Sequence, residues 1–173
     1  MTPEERRAFV RDHRSAIFGY NRAADGPAMS IVYYVPTDGD ELLVSTMRDR
    51  AKAKAVARDG KVSLCVLDER WPFAYLPVYC DATVETEPEL VIDVMMAVGD
   101  RMSGTPIPSE VRPVVEIMAT EEGRVVLRCR PYATFAQPPR HLHRNDQEEK
   151  LTHWASRTLP WDSPDESGNP RPG

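Results

Sequence analysis

Ser45 and Thr46 close an apolar run, Leu42-Leu43-Val44, and a string of cations follows at Arg48, Arg50, Lys52, Lys54 and Arg58 before Gly60. With Lys61, this stretch holds six of the chain's 22 Lys and Arg residues. Hydroxyls at a strand end can donate hydrogen bonds, and a helix that follows offers free N–H groups at its N-terminus with cationic side chains around its first turns. That donor set suits a phosphate. Helical spacing puts Arg48 near Lys52 and Arg50 near Lys54, so the cations form two adjoining faces and not all of them reach one ligand. The same residues also suit a solvated basic helix, since no glycine-rich loop accompanies them. The order of the surrounding elements weighs between the two.

Such a site needs strands on both sides of the helix. Residues 15–22 and 27–35 read as strands joined by the turn Ala24-Asp25-Gly26, and Thr37-Asp38-Gly39-Asp40 turns the chain into the Leu42 run. Gly60 stops the basic helix before a strand through Val62 and Leu64. Upstream, Thr2-Pro3-Glu4-Glu5 is a capping box with proline at the first helical position; its helix runs to about Asp12, with Phe9 as the anchor. Residues 71–85 read as a strand bent at Pro72 and Pro77. Pro88 opens a helix with Leu90, Val91, Val94, Met95 and Val98 at helical spacing, in which Met95-Met96 is core or interface filler. A short helix begins near Ser109, and residues 124–130 and 132–136 finish the sheet with Pro131 interrupting it. Tyr20, Tyr33, Tyr34, Trp71, Tyr75 and Tyr79 can stack on a planar ligand, although strand aromatics more often serve as core and dimer contacts.

The order of strand, Asp-Gly turn, strand, Asp-Gly turn, strand ending in Ser-Thr, R-x-K-x-K helix and strand resembles the pyridoxamine-phosphate-oxidase-like superfamily. Within it the likeness is to the flavin and deazaflavin (F420) oxidoreductase branch. It is carried by Asp25-Gly26-x-x-x-Ser30, Ser45-Thr46 and Arg50-Ala51-Lys52-Ala53-Lys54, with Val62-Ser63-Leu64 closing the unit. The resemblance implies a mainly β fold, an antiparallel split β-barrel of the FMN-binding type with flanking helices, and a homodimer that binds cofactor at its interface. It implies hydride transfer between bound F420 or FMN and a small organic acceptor, the chemistry belonging to the cofactor. On this reading Ser45, Thr46, Arg50, Lys52 and Lys54 hold the cofactor phosphate, while Ser30, Ile31 and Val32 line the ring. The R-x-K-x-K helix leans toward F420, whose long anionic tail would use extra cations such as Arg48 or Arg58.

Departures are also visible. The flavin-binding oxidases carry an arginine where Ser30 stands, and family members often have a glycine near Asp81. Arg140-x-x-His143-Arg144 echoes the R-x-H of true pyridoxamine phosphate oxidases with spacing off by one residue, which ranks that activity lower. A non-catalytic flavin- or F420-binding carrier or sensing protein would share the phosphate site, and an orphan barrel would have lost it. No protein nucleophile or acid–base dyad stands out.

Composition sets outer bounds. A length of 173 residues with 41% hydrophobic content suits one compact domain. With 27 acidic against 22 basic residues the net charge is −5, which disfavours a nucleic-acid partner and points the basic cluster at a small anion. No apolar run approaches a membrane span and residues 1–7 lack a signal-peptide core, so a cytoplasmic location is expected. Cys65, Cys80 and Cys129 sit singly in β-prone runs, as small buried hydrophobes in a reducing compartment do. His141 and His143 form an H-x-H pair without a third ligand, and no metal site is expected.

The barrel is expected to end at residue 137, with 138–173 as a C-terminal extension: a short helix capped by Asp146 through Leu151 and Trp154, then a partly flexible tail. Trp154 and Trp161, with His141, His143 and His153, lie in a polar stretch that gains little by ordering unless those rings are buried. This predicts a segment packed over the cofactor cleft, its own or a partner's.

Overall fold

The computed structural model describes residues 1–68, 70, 74–136 and 157–164. The capping box opens helix α1 (Pro3–Asp12): the Thr2 hydroxyl accepts from the Glu5 N–H while the Glu5 carboxylate accepts from the Thr2 N–H. Strands β1 (Ser15–Arg22) and β2 (Gly26–Tyr33) form a hairpin whose turn uses Gly26 at φ +74°. Short strand β3 (Val35–Pro36) follows, then β4 (Leu42–Met47), helix α2 (Ala51–Asp59) and β5 (Lys61–Asp68). In the turn before β4 the left-handed residue is Asp40, at φ +65°, and not the neighbouring Gly39. Gly60 ends α2 as expected, left-handed at φ +64° with its N–H on the Val56 carbonyl.

The second half contributes β6 (Ala74–Glu85), α3 (Pro88–Ser103), a 3₁₀ turn (Ser109–Val111), α4 (Arg112–Glu121), β7 (Arg124–Ala136) and β8 (Arg157–Pro160). Trp71 and Pro72 lie outside the described residues. Pro131 does not interrupt the last long strand. It pairs with Cys80 where the β6–β7 register shifts, so a bulge absorbs the residue that has no N–H to give. Pro77 is accommodated differently: the ladder to β7 begins one residue later, at Val78.

All pairings are antiparallel, in the order β2-β1-β5-β6-β7-β4-β3, with β8 added to β7. The sheet curls so that its two edges, β2 and β3–β4, are joined through a single residue, Tyr34. That residue is fully buried and donates its hydroxyl to the Val10 carbonyl at 2.7 Å. This is an antiparallel split β-barrel with flanking helices. Its interior is an apolar cluster that includes Phe18, Tyr34, Val44, Leu64, Val78 and Leu127. A second cluster sits outside the sheet, where Leu43 and Val126 meet Val91, Ile92 and Val94 of α3 and Val115 and Ala119 of α4.

The largest difference from the sequence reading concerns the chain after Gln137. Strand β8 pairs with the end of β7 through Ala133↔Pro160 to Ala136↔Arg157, and Trp161, 5% exposed, enters the barrel core. Its carbonyl accepts from Nη1 of the buried Arg6 at 2.5 Å, its N–H reaches the Tyr132 carbonyl, and its ring N–H lies 3.3 Å from Asp40. Arg7 bridges Asp40 and Asp162. Trp161 therefore closes the α1 side of the barrel and does not cover a cofactor cleft. Trp154, His141, His143, His153 and the helix expected from Asp146 lie outside the described residues.

Candidate functional site

Where the two sheet edges diverge from Tyr34, a cleft of about 310 Å³ opens between β2, β4 and α3. Ile31, Val32 and Tyr33 form one side, and β4 contributes Ser45. Helix α3 closes the outer wall with Met95, Val98, Gly99 and Met102, while Lys52 of α2 and Arg124 of β7 supply cations. The cleft is thus walled mainly by apolar side chains and carries two cations, Lys52 and Arg124, with the hydroxyl-bearing residues Ser45 and Tyr33.

Two observations make it the candidate site. Ser45 Oγ is buried and has no hydrogen-bond partner, and the same holds for Ser30 Oγ on the adjoining strand. Orphaned buried hydroxyls are costly, and a ligand atom that pairs with them recovers the loss. Lys52 is half buried, and that burial, with the nearby charge of Arg50, pushes its ammonium below the usual lysine range. Its Nζ stands 5.9 Å from the centroid of the Phe18 ring, and no carboxylate among the described residues pairs with it. An anionic group would relieve that strain.

The sequence-predicted residues divide by geometry. Ile31, Val32, Ser45 and Lys52 come together on the cleft. Ser30 lies beside it, facing the barrel interior opposite Phe18. Strand alternation sends Thr46 to the face opposite Ser45, where it is buried at 6% exposure. Arg50 is the residue before α2, exposed, with Nε 3.5 Å from Met47 Sδ, and Lys54 is exposed near Asp49 at 3.8 Å. These two stand around the helix start rather than in the cleft. Arg58 and Lys61 are engaged elsewhere, Arg58 by Asp59 and the Asn21 carbonyl, Lys61 by Asp81 and the face of Tyr132.

Sequence reasoning missed Arg124 and the α3 wall. Arg124 lies about 70 residues from the basic helix, and only the β4–β7 register, which sets it opposite Met47, brings it to the site. For α3 a signal existed: Met95, Gly99 and Met102 follow helical spacing on the face adjoining the core stripe.

The cysteines offer no nucleophile here. Burial raises all three thiols, Cys129 to about 12, and none lines the cleft. No group of metal-ligating side chains occurs among the described residues, and no described helix is long and apolar enough to cross a membrane.

Comparison with known proteins bears on the fold and the family. The sequence profile described as pyridoxamine 5'-phosphate oxidase matches residues 2–137. No curated protein matches the chain significantly. Among solved structures, the conserved hypothetical protein Rv2991 from Mycobacterium tuberculosis superposes with a TM-score of 0.68 at 25% identity, covering 78% of this chain and 82% of that one. An F420 reductase gives 0.58 at 19% identity over 73% and 93% of the two chains. HutZ, the heme storage protein from Vibrio cholerae, gives 0.55 at 16% identity over 76% and 91%. At those identities the last two are similar in fold alone.

Proposed function

The chain belongs to the pyridoxamine 5'-phosphate oxidase family, and on that premise we propose that it is an oxidoreductase that binds F420 or FMN in the cleft and passes hydride between that cofactor and a small organic acceptor. The observation that carries the reading is the convergence of an orphaned Ser45 hydroxyl and a half-buried Lys52, with no carboxylate partner among the described residues, on a cleft walled mainly by apolar side chains at the barrel split. The cofactor supplies the hydride chemistry. The protein's residues bind and orient it: Lys52 and Ser45 meet the phosphate, with Arg50 and Lys54 around the helix start and Thr46 turned away into the barrel. Ile31 and Val32 present an open strand edge to the ring, while Ser30 faces the barrel interior behind them. Met95, Val98 and Met102 exclude water from the other side. The cations that ring the helix start outside the cleft favour the deazaflavin, with its anionic tail, over FMN.

The protein acts as a homodimer on this reading. Support comes from the outer face of edge strand β2, where Met29 and Ile31 are 76% and 78% exposed beside the cleft. Enzyme and carrier are separated by mixing the protein with reduced F420 or reduced FMN and a panel of quinones, enones and nitroaromatics. Acceptor-dependent reoxidation above the protein-free rate is expected; tight cofactor binding with no turnover of any acceptor would make the protein a carrier.

A further inference from the structure

Arg124 has no place in the family likeness that the sequence carries, yet it lines the cleft with Ser45 and Lys52. Three features fix it there. The β4–β7 ladder sets Arg124 opposite Met47, and the Arg48 N–H donates to the Gly123 carbonyl at 2.9 Å, so the start of β7 is tied to the turn that leads into α2. Gly123, left-handed at φ +59°, swings the chain from α4 into β7 and lets Glu122 reach back to the arginine two residues on. Glu122 then accepts from Arg124 Nε at 2.5 Å, and the side chain is held at 24% exposure.

That single contact uses one corner of the guanidinium. Both terminal amino groups remain without a partner among the described residues, against a wall that offers methionine and valine. A purely structural ion pair would be better placed in solvent than in a cleft that also holds the Lys52 ammonium and the orphaned Ser45 hydroxyl. We infer that Arg124, oriented by Glu122, is a direct contact of the cofactor's phosphate, which it meets from β7 while Lys52 meets it from α2 and Ser45 from β4. The planar fork suits two oxygens of a tetrahedral oxyanion at once, which an ammonium does not.

The inference rests on the cofactor reading above, and its test separates the two. Dissociation constants for FMN and riboflavin, and for F420 and its tail-free chromophore, are measured for the wild type, Arg124→Gln, Arg124→Lys and Glu122→Gln. Arg124→Gln is expected to weaken the phosphate-bearing ligands about tenfold or more while leaving the phosphate-free ones within about twofold. Arg124→Lys should recover part of that loss, and Glu122→Gln should show a smaller loss of the same selectivity, because the fork is present but less fixed. If Arg124→Gln, or Arg124→Met should the glutamine variant fail to fold, keeps the full preference for phosphate, the inference is overturned and the cofactor reading stands. If the wild type itself shows no preference for phosphate, both fall together.

Discussion

Trp161→Ala tests whether the chain beyond Gln137 is part of the barrel or a cover for its cleft. The substitution leaves the backbone bonds of Trp161 to Arg6 and Tyr132 in place and removes a core ring at 5% exposure together with its N–H contact to Asp40. Emptying a core site of that size costs about 3–5 kcal/mol. For a domain of this length each kcal/mol lowers the melting temperature by about 2–4 °C, so a drop of roughly 6–20 °C is expected. Trp161→Phe keeps most of the apolar contact and loses only the donor and part of the ring, which should lower the melting temperature by roughly 2–6 °C. Thermal unfolding followed by circular dichroism reads both. Cofactor affinity, measured well below the transition, should stay within about twofold of wild type, since Trp161 does not line the cleft. A melting temperature for Trp161→Ala within about 2 °C of wild type would refute the core assignment. Altered acceptor turnover without lost stability would restore the covering role.

Lys52→Ala should weaken F420 or FMN binding about tenfold or more, as loss of a charge-assisted contact requires, while the apo-protein melts at an unchanged or higher temperature because a desolvated cation is gone; an equal loss of stability in apo- and holo-protein would assign Lys52 to structure. Burial alone would raise the Glu41 carboxyl, but hydrogen bonds from Arg130 and Arg128 hold it below its ordinary value of 4.5. Its pairing therefore stabilises the fold fully above about pH 4.5 and is lost as pH falls through the lowered value. The melting difference between wild type and Glu41→Gln should vanish in acid, and a difference constant down to about pH 3 would contradict the sign. Met29→Glu on the exposed face of β2 should shift a dimer to monomer in light scattering, and an unchanged mass would remove β2 from the interface.

Local chemistry made most of the fold legible. The Thr2 capping box, the Asp25-Gly26 turn and the Gly60 cap each dictate a backbone conformation within a few residues, and α1, β1 and α2 form accordingly. Pro131 misled because a proline removes a ladder donor, a loss that the bulge opposite Tyr79 and Cys80 absorbs and that only the partner strand reveals. Trp161 misled for a related reason: a polar neighbourhood in sequence says nothing about which strand edge is vacant, and β7 had one. In the site, the hydroxyls and the basic helix were readable as a donor set, yet period-two alternation separates Ser45 from Thr46, and Arg50 and Lys54 turn outward from Lys52. Arg124 and the α3 wall required the topology itself, since nothing between residues 52 and 95 or between 52 and 124 encodes their meeting.

The central claim is that the cleft binds a phosphate-bearing flavin or deazaflavin through Ser45 and the cations beside it. The direct measurement is a titration of the purified protein with F420, FMN and riboflavin, followed by absorbance and fluorescence at low and raised salt. Dissociation constants of about micromolar or tighter are expected for at least one phosphate-bearing cofactor, with riboflavin markedly weaker and the difference shrinking as salt screens the cations. Equal affinity for FMN and riboflavin, together with no binding of F420, would contradict it.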